Sequence, residues 1–286
     1  MVAYLAYRVL VWLFKITPFF ILYRLSDFLR IILQYLIRYR RTTVEGNLKK
    51  CFPDLSQMEL HRLVSESYKN LADIFLEGVK GLSLTKEELM RRYPMHGTEK
   101  LKSILETNQS IIIAAIHYAN WEWGVLSFGY HFPGRAIGIY KPLSNHRIEE
   151  DLKRRRADSG MQLIPIQLTR TMEEEIEKGK LIIMMSDQNP SNSKDAIWVD
   201  FFGQDTACLH GLNKYSTRFQ LPVYYCEINR LKRGYYETKF VEIASTPISE
   251  NNTITQDYMG MLETTIRQYP PNWLWTHKRW KHQRNS

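Results

Sequence analysis

The stretch IIIAAIHYANWEWG, residues 111–124, holds two side chains suited to moving a proton: His117 and, five positions later, Glu122. An imidazole takes a proton from a hydroxyl when one ring nitrogen is free and the other N–H is held by an acceptor, a task for a carboxylate. On one continuous helix, residues five apart lie about 140° from each other and cannot meet. His117 is therefore expected to end a strand, and Asn120 to cap a helix that begins at Trp121. The chain then reverses between them, and Glu122 in the first helical turn leans back on the ring. Such turns are where open α/β sheets bind ligands. Unpaired N–H groups at the helix start are also placed to meet developing negative charge. Taken alone, the spacing fits a polar strand end followed by an acid that complements a helix dipole just as well.

The elements around the pair follow from periodicity. SQME offers Ser56 and Glu59 as a capping box, after which Leu60, Leu63, Val64, Tyr68, Leu71 and Phe75 recur at helical spacing. TKEE repeats the box with Thr85 and Glu88. Beyond residue 96 the pattern alternates. A helix near 98–106 precedes the apolar run 111–116, a strand in RAIGIYK, a charged helix over 145–157 and a strand in MQLIPIQ. Then come a helix in TMEEEIEKG closed by Gly179, the strand KLIIMMSD, a helix near 206–219, the strand PVYYCEIN and a hairpin turning on Gly234. Short, continuously apolar strands between helices predict an α/β domain whose sheet is covered on both faces.

The net charge of +9 over 286 residues looks like a nucleic-acid footprint, but its position argues otherwise. The first 50 residues hold nine cations against two anions, which is +7 of the total. These cations are interleaved with long apolar runs, a combination that fits a membrane surface better than a DNA-binding arm. Asp27, Arg30, Gln34, Arg38 and Arg41 form a narrow polar stripe on an otherwise apolar helix. Residues 1–23 are long enough to span a bilayer, but Arg8 and Lys15 interrupt them and Pro18 breaks the helix. The expectation is a tilted or half-inserted anchor over 1–45 and a globular domain over 46–286. The alternative is a pair of apolar helices packed on the domain's own core.

Other chemistries find no foothold. The chain has no G-x-S-x-G, G-x-G-x-x-G, P-loop or H-E-x-x-H motif. Cys51, Cys208 and Cys226 have neither metal-ligand spacing nor an even count, and His131 and His146 lack a ligand spacing to His117. No metal or cofactor is expected.

HYANWEWG resembles the H-x4-D/E signature of the lysophospholipid acyltransferase superfamily, and its HxxNWE form is similar to the late acyltransferases of lipid A biosynthesis. YRRTTVEGNLKKCFPD (39–54), IYKPLSN (139–145), RRRADSG (154–160), SDQNP with VDFFG (186–203) and WLWTHKRWK (273–281) resemble the same family in order, so the resemblance spans nearly the whole chain. It implies a glycerolipid acyltransferase-like α/β fold with a mixed, mainly parallel sheet and N-terminal membrane-anchoring helices. It also implies that His117 is the general base and Glu122 its orienting partner. By the same resemblance, Asn120, Lys141, Arg147, Arg154, Arg155, Arg156, Asp187, Gln188, His277 and Arg279 form the substrate-binding set. Lys141 stands where the family commonly has arginine, and lysine cannot make the bidentate phosphate contact. The tryptophans and cations of 273–281 suit a headgroup zone or a phosphorylated glycolipid. VDFFG and Thr206–Gly211 are expected to shape an acyl or acceptor surface, with Phe201 and Phe202 equally suited to a core.

The implied reaction moves an acyl chain from acyl carrier protein, a co-substrate, to a hydroxyl of a lipid A precursor. It would run on the cytoplasmic face of a Gram-negative inner membrane, in a monomer that contacts anionic phospholipid and no nucleic acid. Acylation of a lysophospholipid or an amino-acid lipid is the alternative within enzymes. A non-catalytic lipid-binding protein of the same fold is the alternative outside them.

Overall fold

The computed structural model describes residues 2–140, 142–168, 170–246 and 253–284. Helix α1 (Val2–Ile16) stops before Pro18, and α2 (Phe19–Ile31) continues into a π-helical turn over Ile32–Leu36. Next come α3 (Arg41–Cys51), α4 (Gln57–Gly81), α5 (Lys86–Arg92) and α6 (Thr98–Glu106). The alternating region then runs β1 (Ile111–Ala115), α7 (Trp121–His131), β2 (Ala136–Tyr140), α8 (His146–Asp158), β3 (Gln162–Pro165), α9 (Arg170–Glu173) and β4 (Leu181–Met185). It closes with β5 (Ile197–Phe201), β6 (Gln204–Cys208), α10 (Gly211–Phe219), β7 (Val223–Lys232), β8 (Tyr235–Ala244) and α11 (Ile254–Gln268).

Six strands form one sheet in the order β3-β2-β4-β1-β7-β8, with every pairing parallel except the β7–β8 hairpin. The expected α/β fold with a mainly parallel mixed sheet is therefore present. All five residues of β1 are buried, as an apolar run enclosed on both faces must be. Each isoleucine so buried contributes about 1.5–3 kcal/mol. Ser56 and Glu59 make the reciprocal capping box on α4, and Thr85 accepts the Glu88 amide at 3.2 Å. Gly234 closes the β7–β8 hairpin at φ +72°, and a side chain there would strike the Tyr23 hydroxyl, so this turn sits directly against α2.

Three expectations need correction. Residues 204–208 are strand, not helix: Gln204–Cys208 pairs antiparallel with Ile197–Phe201, and the helix begins only at Gly211. The hairpin buries Phe201 and Phe202 against Trp273, Trp280 and Phe52, so these rings are core. The TMEEEIEKG helix is two short pieces, Arg170–Glu173 and a 3-10 turn over Ile176–Lys178. On α4, Phe75 faces out while Asn70, Asp73, Glu77 and Lys80 are buried, a polar stripe turned inward.

That inward stripe receives the N-terminal helices. Ser26 donates to Asp73 at 2.6 Å, Tyr23 to Glu77 at 2.8 Å, and Arg30 to Ser65 at 2.9 Å; Asp27 is paired with Arg233 at 2.6 Å. Lys80 donates to the carbonyls of Phe14, Lys15 and Thr17, closing the end of α1. The polar face of α2 thus points into the protein, and its apolar face points out. Phe20 is 71% exposed, Phe28 62% and Leu36 80%, and Leu5, Val9 and Trp12 are bared on α1. Among the described residues no helix is long and apolar enough to cross a membrane. Helix α3 runs through the expected boundary at 45/46, and residues before it share one buried polar network with α4 and β7, through Ser26, Asp73 and Arg230.

Candidate active site

His117 lies two residues beyond β1, outside any helix, and Asn120 caps α7 by accepting the Trp123 amide at 2.9 Å. The reversal between strand and helix is tight enough to hold Ala119 at φ +50°, with its amide bonded to the Asn272 carbonyl at 2.8 Å. A left-handed non-glycine residue of this kind costs about 1–3 kcal/mol and needs surrounding structure to persist.

The carboxylate on the His117 ring is that of Asp187, not Glu122. Asp187 Oδ1 lies 2.7 Å from Nδ1, while Oδ2 accepts the His117 amide and the Trp273 indole N–H, each at 3.0 Å. Sheet register explains the meeting. Ala115 pairs with Met185 on the neighbouring parallel strand, so the second residue past each strand end arrives at the same height. Asp187 is fully buried. Burial pushes its carboxyl up, but the His117 ring and the donated N–H groups outweigh that and hold it below the usual carboxylate range. An ionised Asp187 can only accept, so Nδ1 carries the proton and Nε2 is left bare. Burial likewise disfavours the imidazolium, yet Asp187, by charge and hydrogen bond, and Glu122, by charge, raise the His117 pKa above its ordinary value.

Glu122 stands beside His117 in the wall of the same cavity, about 330 Å³ in volume, where it takes a hydrogen bond from Arg156 at 3.1 Å. The floor is apolar, with Val125, Ile139, Leu163, Ile183 and Met185; Gly138 leaves room against Met161 and Leu163. Trp121 packs edge-on to the His117 ring at 5.3 Å. Lys153 and Arg156 give the cavity two cations.

The rest of the expected binding set is dispersed. Asn120 is wholly buried, its amide donating to Glu77 at 2.7 Å, so it shapes the turn and does not face the cavity. Glu77 also accepts from Tyr236 and Tyr23, and its carbonyl takes the Trp123 indole N–H at 2.7 Å. Arg154 and Arg155 both hold the buried Asp151, and Arg155 also reaches the Leu82 carbonyl. Arg147 is exposed on α8, in a separate depression with Arg154 and Tyr4. Gln188 is half-buried beside Asp187. Lys141 lies outside the described residues.

In the C-terminal block Lys278 and Lys281 are exposed, but Arg279 and His277, the two expected binding residues, are turned into the protein. Arg279 is buried, donating to the Ala207 carbonyl at 2.7 Å and to Cys208 Sγ at 2.9 Å. His277 accepts the Asn189 amide at 3.1 Å, and burial, reinforced by nearby cations, pushes its pKa down to about 4. This segment laces the site together: the Leu274 amide reaches the His117 carbonyl, and Trp273 reaches Asp187. Sequence reasoning missed Trp273 and Glu77 as supports. The signals available were an indole donor in WLW and an acid on a helix flanked by Asn70, Asp73 and Lys80 at helical spacing.

The chain has relatives among known proteins. The family described as bacterial lipid A biosynthesis acyltransferase matches residues 1–282. The lipid A biosynthesis lauroyltransferase of Escherichia coli (strain K12) is 22% identical over 273 residues, 94% of this chain and 88% of that relative. The palmitoleoyltransferase of lipid A biosynthesis from the same organism is 22% identical over 275 residues, 94% of this chain and 88% of its own length. A lipid A biosynthesis acyltransferase of Haemophilus influenzae is 21% identical over 246 residues, 85% of this chain and 78% of that protein. The family match over residues 1–282 assigns this protein to the bacterial lipid A biosynthesis acyltransferase family.

Proposed function

We propose that this acyltransferase moves a fatty acyl chain from the thioester of acyl carrier protein to a free hydroxyl of a lipid A precursor, with His117 as general base. The observation that carries the proposal is the Asp187–His117 bond, which leaves Nε2 unprotonated at the edge of an apolar cavity. The acceptor O–H gives its proton to Nε2 as its oxygen attacks the thioester carbon. The C–O bond forms, the tetrahedral intermediate collapses, the C–S bond breaks, and the imidazolium proton goes to the departing thiolate. Asp187 holds the tautomer and stabilises the imidazolium, and no acyl-enzyme is needed. The cap takes the Trp123 amide, so the amides of Trp121 and Glu122 are the helix-start donors left for the oxyanion. Lys153 and Arg156 supply positive charge for a phosphate on donor or acceptor.

The inverted amphipathicity of α2 supports work at a membrane surface. Its polar side is spent on the protein, and its exposed apolar side, flanked by the basic N-terminal residues, suits interfacial burial on the anionic cytoplasmic leaflet. The test is direct. Purified enzyme is incubated with acyl carrier thioester and a lipid A precursor, with free thiol followed by colour and the lipid by mass spectrometry. Thiol release together with one acyl mass added to the lipid is expected. Release without a lipid mass shift would refute the acceptor assignment.

A further inference from the structure

A second cavity of about 380 Å³ backs onto the first and shares with it the wall made by Trp121, Glu122, Leu152 and Arg156. Its other side is one face of α4, carrying Leu71, Ile74, Phe75 and Val79 at helical spacing and followed by Leu82, with Leu126 of α7 also in the lining. The face is apolar yet not closed over: Phe75 is 64% exposed. Tyr7 of α1 forms an edge of the cavity, so it borders the helix that bares Leu5, Val9 and Trp12.

We propose that this second cavity holds the hydrocarbon tail of the acceptor lipid, and that the Glu122–Arg156 pair is the threshold between it and His117. The proposal rests on the function proposed above and extends it. We take the acceptor hydroxyl as the free 3-hydroxyl of an acyl chain already attached to the precursor, so the rest of that chain trails away from the reacting oxygen. The donor's own tail trails from the carbon that this oxygen attacks. Ester formation thus brings two long tails together at adjacent atoms, and they need two apolar spaces that diverge from the base. Two such spaces meet here, both within the roughly 300–1,000 Å³ usual for ligand sites. The threshold is easily parted, since Glu122 is 42% exposed and an ion pair so wetted is weak. Gly78 keeps the passage beside it open: a Cβ there would lie 3.6 Å from Glu122 Cγ, in ordinary contact, but a longer side chain would fill the gap between α4 and the threshold.

Two experiments test this on the full-length enzyme in anionic vesicles. A lipid A precursor whose 3-hydroxyacyl chain ends in a diazirine is irradiated on the wild-type protein, and the labelled peptides are mapped. Labelling on Ile74, Phe75 or Leu126 is expected; labelling confined to Ile139, Leu163 or Met185 overturns the proposal. In parallel, kcat/KM is measured for the same precursor with a long and with a four-carbon 3-hydroxyacyl chain. Gly78→Leu is expected to lower the long-to-short ratio at least tenfold, and Gly78→Ala by much less. An unchanged ratio in a folded Gly78→Leu enzyme overturns the proposal. Transfer to neither precursor by the wild type would sink the functional reading itself, whereas transfer with the wrong labelling sinks the second cavity alone.

Discussion

Asp187 grips His117 twice, through the ring Nδ1 at 2.7 Å and through the backbone amide at 3.0 Å. The double contact fixes both where the ring stands and which nitrogen is bare.

Asp187→Asn keeps the shape but offers Nδ1 an amide in place of a carboxylate, so the imidazolium loses its counter-charge and the tautomer is no longer enforced. A fall of about 10²- to 10⁴-fold in acyl transfer is expected, comparable with His117→Ala. Circular dichroism and a thermal melt check that both variants remain folded. Transfer within threefold of wild type in Asp187→Asn would remove the residue from the mechanism.

The pH profile separates the two carboxylates near the ring. Because His117 must be neutral to accept a proton, kcat/KM should rise with pH and reach half its plateau above the usual imidazole value of about 6.5. Removing a negative charge makes the imidazolium harder to form, lowers the pKa and moves the rising limb to lower pH. Asp187→Asn should move it further than Glu122→Gln, since Asp187 acts through both charge and hydrogen bond and Glu122 through charge alone. A larger shift in Glu122→Gln would restore that residue as the ring's partner.

Asn120 caps α7 and at the same time satisfies the buried Glu77 carboxylate. Asn120→Ala loses a cap worth about 0.5–2 kcal/mol and leaves a buried acceptor short of a donor, about 1–3 kcal/mol more. Thr85→Ala, which loses only an exposed cap, is the control. Urea titration should find Asn120→Ala the less stable of the two, and equal midpoints would show that the Glu77 contact contributes little.

The outward face of α2 can be tested without cutting the chain. Deleting residues 1–45 would also remove Tyr23, Ser26 and Asp27 from the buried network and cut into α3, so loss of activity there would say little about membranes. Phe20→Ser, Leu25→Ser and Phe28→Ser together change exposed positions only. Flotation with anionic vesicles should recover markedly less of the triple variant than of wild type. Equal recovery would place membrane contact elsewhere.

Local signals made much of this architecture legible. The run IIIAAI, the cap at Asn120 and the capping box at Ser56 each announce an element through nearby residues, and each element is where that signal puts it. What local reading mistook was partnership. Glu122 is near His117 in the chain, but strand pairing brings Asp187 closer from 70 residues away. SDQNP following an apolar strand did mark the right rim of the sheet, without saying which carboxylate would reach the ring. Arg279 shows the same limit: a cation among tryptophans has the same composition whether it faces a headgroup or donates to a buried carbonyl, and only tertiary packing decides.

The lacing of residues 272–274 across the His117 turn makes that turn depend on the far end of the chain. The His117 carbonyl, the Ala119 amide and one oxygen of Asp187 are all secured by this late segment, with Trp273 reaching Asp187 from 86 residues away. The sheet is closed over comparable separations, since Ile112 of β1 pairs with Val223 of β7. A chain without residues 272–274 would lack the partners of the His117 carbonyl and the Ala119 amide even with its strands paired. The turn that carries His117 is therefore completed only when the two distant ends of this α/β region have met.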